Sequence, residues 1–209
     1  MKKIFITLPL LILFVCKIYS QNAVDSLSFV MDYFTEGNKD FENGNFELAI
    51  AHYDTALVLG LPFAEIYGNR GLANNELGKY FDALSDFNKA IKLNSKKTQF
   101  YLNRGNTKQN LQDFRGSILD YSKAITLEPK NYLAYFNRGY SKFSLKDYNG
   151  AIIDYNMSIT YNKTNPGAYF QRGIIRIIQK KKELGCADFS KAGELGDEKA
   201  YEVIREYCN

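Results

Sequence analysis

His52 is the only histidine in the 209 residues, and Cys16, Cys186 and Cys208 are the only cysteines. No His/Cys cluster keeps metal-ligand spacing, and no glycine-rich phosphate loop follows a strand-like stretch. Two thiols without a nearby histidine do not make a tetrahedral zinc set. Carboxylates are plentiful but fall at helix ends and on polar faces. The chain is therefore read as a non-enzyme without metal or cofactor, and His52 as a solvated or helix-packing residue. What recurs is ion-pairing chemistry. Arg70, Arg104, Arg138 and Arg172 follow one another at 34-residue intervals, and Asp86, Asp120, Asp154 and Asp188 each stand 16 residues after one of them. A guanidinium fork matches a carboxylate through two parallel hydrogen bonds.

These charges sit in a longer register. With Val30 as position 1, repeats run 30–63, 64–97, 98–131, 132–165 and 166–199. Position 4 is always tyrosine (Tyr33, Tyr67, Tyr101, Tyr135, Tyr169) and position 8 always glycine (Gly37, Gly71, Gly105, Gly139, Gly173). Position 24 is aromatic, and positions 20 and 27 are small. Each unit reads as helix A, a turn such as "LQDF", and helix B. A mid-helix glycine costs about 1 kcal/mol against alanine, so five of them need a packing reason. The expected reason is close approach to the small residues at 20 and 27, with the aromatics at 4 and 24 filling the remaining volume. Such units bury their apolar faces only by stacking.

The aspartates occupy position 23 and the arginines position 7. Repeat one carries Glu36 and His52 there, so both partners are missing together. Pairing between neighbours would leave Asp188 and Arg70 unmatched. The expectation is a partly buried Arg–Asp pair inside each repeat; the alternative use of the arginine row is anion binding.

Over residues 30–195 the sequence resembles the tetratricopeptide repeat family, exported bacterial type. Tyrosine replaces tryptophan at position 4, arginine replaces leucine at position 7, and the closing proline is present only as Pro129. The resemblance implies an all-α fold: a right-handed α-solenoid of five helix–turn–helix repeats. The last repeat ends at 195 and a capping helix fills 196–209; "KAGELGDEKA" is also similar to the ends of Sel1-type repeats. It further implies a groove lined by positions 2, 5, 9, 12 and 13 of helix A. In mid-chain these are polar: Asn75, Glu76, Gln99, Asn106, Gln109 and Asn110. Later they turn apolar: Leu133, Phe136, Tyr140 and Phe143, then Phe170, Ile174 and Ile177. The amides suit an extended peptide backbone and the aromatics suit side-chain anchors. Packing within the chain, against the cap or in a homodimer would use the same apolar residues. The family's carboxylate clamp for chaperone tails is not expected. Asn38, Asn69, Asn106 and Asn137 match its amides, but Phe34, Leu102, Gln99 and Gly167 stand where it needs cations.

The amino terminus has a different logic. "MKK", the apolar run 4–15 and the polar "CKIYS" form the layout of a cleavable signal peptide over 1–20, cut after Ser20, with a short lead-in at 21–29. The run is shorter than the roughly 20 residues of a membrane span, so the mature chain is expected not to span a membrane. A lipoprotein anchor at Cys16 is the lesser reading, because Val15 replaces the small residue expected before it. Lys2, Lys3 and Lys17 leave with the signal, and 24 basic residues then face 23 acidic ones. Nothing in that balance calls for nucleic acid. In an oxidising compartment Cys186 and Cys208 are expected to pair, since they lie at similar distances on either side of the turn near 195–197. Two separate thiols are the alternative.

The reading is an exported, periplasmic or secreted, protein-binding scaffold or assembly factor that holds a peptide or partner protein. The alternatives are a self-associating envelope protein and a carrier of a small apolar ligand or lipid.

Overall fold

The computed structural model describes residues 28–60 and 63–208. The signal-peptide reading, the cleavage position and Cys16 lie outside the described residues. Among the described residues every regular element is a helix: α1 (28–42), α2 (Phe46–Leu59), α3 (Ala64–Glu76), α4 (Tyr80–Leu93), α5 (Thr98–Asn110), α6 (Phe114–Leu127), α7 (Tyr132–Ser144), α8 (Tyr148–Tyr161), α9 (Pro166–Ile178), α10 (Lys182–Glu194) and α11 (Glu198–Tyr207). None is long and apolar enough to cross a membrane. Helices of about 13 residues are marginal alone, so packing must hold them.

The chain forms two compact units, one up to Leu93 and one from Asn94. In unit 1, α2 packs on α3 and α3 on α4. Val30 and Phe34 of α1 join a core with Ala49, Tyr53, Ala56 and Ile66. In unit 2 each helix from α5 to α11 packs on the next. This is the helix-pair stacking of the α-solenoid class.

The position-24 rings are the centre of each repeat: Tyr53, Phe87, Tyr121, Tyr155 and Phe189 are at most 1% exposed. The atoms nearest the position-8 glycines are those of these rings. A Cβ on Gly105 would stand 2.7 Å from the Tyr121 ring, and one on Gly37 2.6 Å from the Tyr53 ring. In repeat five position 20 shares the contact, where the Gly185 carbonyl would lie 3.2 Å from a Cβ on Gly173. The glycine makes room for a ring.

The turn between helices A and B takes a left-handed residue at position 15. Gly44 and Gly78 supply it in the first two repeats, and Gln112, Lys146 and Lys180 in the last three, with φ of 59°, 63° and 61°. Asp113 and Asp147 then cap the following helices by accepting from the Gly116 and Gly150 amides, each at 2.9 Å. At the carboxyl end, α11 lays Ala200, Val203 and Ile204 over Phe189 and Ala192, and Asp197 starts it by accepting from the Lys199 amide.

Candidate functional site

The four arginines make two bonds each to the aspartate of their own repeat. Nε lies 2.9 Å from Oδ2 in every case, and Nη2 lies 2.5, 2.5, 2.7 and 2.6 Å from Oδ1 in Arg70–Asp86, Arg104–Asp120, Arg138–Asp154 and Arg172–Asp188. The carboxylates are buried. Each guanidinium also lies 5.4–5.7 Å from the ring centroid of the tyrosine three residues earlier. The tyrosine at position 4 and the arginine at position 7 thus form a stacked pair in repeats two to five.

Two partners were not anticipated. Lys108, Lys142 and Arg176 at position 11 reach the same carboxylates at 2.8, 2.7 and 2.8 Å, and Asn74 takes that place in repeat two at 3.1 Å. Arginine Nη1 also extends to helix B of the preceding repeat, from Arg70 to Asp54, from Arg138 to Ser122 and from Arg172 to Asn156. Arg70, Arg138 and Arg172 therefore each join three helices. Repeat one reverses the polarity: His52 on helix B meets Asp40 on helix A, with Nδ1 and Oδ2 2.8 Å apart. His52 is a pairing residue, hidden from the sequence register because its partner sits at position 11 rather than 7.

The helix-A face carries two amide brackets. In unit 1, Asn38 Oδ1 accepts from the Tyr53 hydroxyl at 2.9 Å and from Asn69 Nδ2 at 2.7 Å. In unit 2, Asn106 Oδ1 accepts from the Tyr121 hydroxyl at 2.8 Å and from Asn137 Nδ2 at 3.0 Å. Each bracket keeps one amide donor, on Asn38 or Asn106, and one amide acceptor, on Asn69 or Asn137. That pair matches the C=O and N–H of one residue in an extended chain. Burial pushes the Tyr53 phenol up to about 12 and the Tyr121 phenol well above the usual tyrosine range.

The expected groove residues divide. Gln109 is spent inside the fold, where Nε2 donates to the Asn137 carbonyl at 2.9 Å and to Ser141 Oγ at 2.7 Å. Asn106 gives its acceptor to the bracket, and Gln99 donates to Asn103. Phe136 packs on Tyr155, Phe143 on Tyr148 and Phe170 on Phe189. Ile174 and Ile177 join Phe170 in the cluster that α11 completes. Of the two uses the sequence leaves open for this apolar stretch, these partly buried side chains make the contacts of the second, packing within the chain. Leu133 and Tyr140 are exposed, as are Asn110 and Glu76. The Asn75 carbonyl oxygen is buried without a partner among the described residues.

One consequence is directly measurable. Tyr140 replaces the position-9 asparagine in repeat four, and the buried Tyr155 hydroxyl has no hydrogen-bond partner among the described residues. Tyr121→Phe is expected to cost about 1 kcal/mol, the net worth of a hydrogen bond. Tyr155→Phe should be neutral or stabilise by up to about 1 kcal/mol by removing an unsatisfied donor. Urea unfolding of the two variants checks this; shifts of the same sign and size would refute it.

Sequence reasoning placed the groove residues between Asn75 and Ile174 and missed two cavities on the helix-A side of unit 1. One, of about 220 Å³, is lined by Met31, Phe34, Phe63, Glu65 and Ile66. The other, of about 300 Å³, is lined by Asn38, Phe41, Glu42, Tyr53, Asn69 and Leu72. Met31, Phe34, Asn38, Phe41 and Glu42 occupy groove positions of repeat one, so the register itself held the signal.

At the carboxyl end Cys186 and Cys208 are joined, with Cα atoms 5.7 Å apart. No group of three or more His, Cys, Asp or Glu side chains among the described residues is placed to hold a metal ion.

Curated protein sequences yield no match to this chain. Solved structures show the same fold. MamA is 23% identical with a TM-score of 0.72, over 79% of this chain and 96% of that one. YrrB, described as a TPR protein with an unusual peptide-binding site, is 18% identical with a TM-score of 0.70, over 83% and 90%. PilF of Pseudomonas aeruginosa is 15% identical with a TM-score of 0.74, over 83% and 79%. Family models described as tetratricopeptide repeat match residues 34–97, 98–131 and 132–165. With the repeat matched over well more than half of its length, the chain belongs to the tetratricopeptide repeat family.

Proposed function

We propose that the protein is an exported, non-catalytic scaffold that holds an extended segment of a partner protein against its helix-A face. The observation that carries this reading is the pair of amide brackets, Asn38–Asn69 and Asn106–Asn137. The Asn38 and Asn106 carbonyls are each fixed by a buried tyrosine and by the amide of the other asparagine, so the remaining donor and acceptor are held in place before a partner arrives. Binding then costs less ordering entropy. The peptide-binding site described for YrrB is a precedent for the mode on this fold. Export is supported by the signal-like layout of 1–20 and by the Cys186–Cys208 pair, which suits an oxidising compartment. A lipid carrier is less well supported, since α11 covers Phe170, Ile174 and Ile177.

Selection of random twelve-residue peptides on phage tests the reading. The purified protein should enrich a sequence family. The variant Asn38→Ala/Asn69→Ala/Asn106→Ala/Asn137→Ala, checked for helicity by circular dichroism, should lose at least about tenfold in affinity for it, as two or more hydrogen bonds are removed. No enrichment, or equal binding by a folded variant, would overturn the proposal.

A further inference from the structure

Repeat two departs from its neighbours at positions that meet in one place. Position 11, a lysine or arginine in repeats three to five, is Asn74. Position 19, glycine or leucine in the other four repeats, is Asp82, and position 22, apolar in those four, is Ser85. Position 25 of the preceding repeat, asparagine or serine elsewhere, is Asp54. The charge balance changes accordingly. In repeats three to five one buried aspartate holds two cations: Asp120 with Arg104 and Lys108, Asp154 with Arg138 and Lys142, Asp188 with Arg172 and Arg176. In repeat two one guanidinium, that of Arg70, serves two aspartates, Asp54 and Asp86.

The place of the missing cation is open. A cavity of about 410 Å³ lies there within unit 1, with Asp54, Asn74, Asp82, Ser85 and Asp86 in its lining and Ile50 as an apolar wall. It is many times the roughly 30 Å³ of a water. Asn74 is 6% exposed, and its Nδ2 donates to Asp86 Oδ2 at 3.1 Å. Its carbonyl oxygen is left as an acceptor with no donor among the described residues. A nearly buried acceptor in a polar cavity calls for a donor. The chain's own lysines in the lining are placed otherwise: Lys89 Nζ lies 5.3 Å from the Tyr67 ring centroid, and Lys79 is exposed at the mouth.

We infer that this cavity binds a primary ammonium group on an alkyl stem, in the place that the position-11 lysine fills in repeats three and four. An ammonium has three donors and no acceptor. The cavity offers it the Asn74 carbonyl, the Ser85 hydroxyl and the Asp82 carboxylate, with Ile50 against the stem. The excess of carboxylate over guanidinium around Arg70 favours a cation and disfavours an anion. A free alkyl amine and a lysine side chain of another protein present the same group. The site shares no residue with the amide brackets, so the inference stands apart from the scaffold reading.

Titration of the isotope-labelled protein, followed by NMR, tests this, because amide shifts read weak binding at an open mouth. Butylamine stands for the free amine and acetyl-Gly-Lys-Gly-amide for the side chain; butanol, and potassium chloride at matched ionic strength, are the controls. At least one of the two amines should shift the Asn74 side-chain amide and the backbone amides of 82–86 saturably, and which one does so names the source. Asn74→Lys should weaken binding at least about tenfold, since an ammonium supplied from within the chain has a high effective concentration. Asp82→Asn should weaken it roughly two- to fivefold, the range of an exposed ion pair. Lys79→Gln should bind at least as tightly as the unaltered protein, because a competing cation is removed. Asn74→Lys introduces the residue that repeats three and four carry, and its urea midpoint should stay at or above that of the unaltered protein; Asp82→Asn alters only an exposed side chain. No saturable shift with either amine, shifts that butanol or potassium chloride reproduces, equal binding by Asn74→Lys or Asp82→Asn, or weaker binding by Lys79→Gln would each overturn the inference.

Discussion

Asp154→Ala is expected to destabilise unit 2 by about 3–4 kcal/mol, the largest single-residue effect in this chain outside the glycine and ring contacts. Its carboxylate is fully buried and receives Arg138 Nε at 2.9 Å, Arg138 Nη2 at 2.7 Å and Lys142 Nζ at 2.7 Å. Truncation leaves two cations facing each other with no anion between them. Breaking a buried pair in this way costs about 3–5 kcal/mol. Both cations remain about one-fifth exposed, so water recovers part of the loss and the lower end applies. Asp154→Asn should fall in between, keeping an acceptor but no charge. Replacing Asp154, Arg138 and Lys142 together by leucine, methionine and methionine should recover most of the stability, because the cost lies in the orphaned charges rather than in the pair itself. Urea denaturation followed by circular dichroism gives all three values. A loss below about 1 kcal/mol for Asp154→Ala would show that the aspartates are not the junctions of this fold.

Reduction of the Cys186–Cys208 bond is expected to cost roughly 3 kcal/mol, from the loop-entropy relation for the 22-residue separation. The effect should be local. The bond ties the end of α11 to α10, and apart from it α11 is held by a small apolar contact through Ala200, Val203 and Ile204. Its loss should first free α11 and uncover Phe170, Ile174 and Ile177, which the cap shields. Reductant, or Cys186→Ser with Cys208→Ser, should therefore speed amide hydrogen exchange in 198–207 and increase binding of a hydrophobic dye, while exchange in α7 and α8 stays unchanged. Identical exchange in 198–207 with and without reductant would show that the bond contributes nothing there.

Much of this protein was decided by sequence alone. Tyrosine at 4, glycine at 8 and an aromatic at 24, repeated five times, leave one consistent arrangement: paired helices that must stack, because neither helix can bury its apolar face alone. The Arg–Asp pairing within each repeat was also legible, since both partners vanish together in repeat one. Position-specific identity carries this information because the contacts are local and recur at a fixed separation.

What only the tertiary structure decided concerns which side chains share one partner and what a neighbouring helix covers or leaves open. Lys108, Lys142 and Arg176 recur as regularly as the arginines, yet nothing in their spacing says that they share a carboxylate already paired. The sequence set the glycines against the small residues at 20 and 27, and it took the structure to show that the position-24 rings come nearest to them, because helix rotation is set by packing and not by composition. Phe170 and Ile174 have the residue types of a binding surface and serve as the seat of α11. Phe34 and Met31 have the same types, and in their case the chain leaves a cavity. Apolar residues on a helix face look alike in sequence whether they are covered or open, since the covering group comes from another helix whose docking is a property of the whole fold.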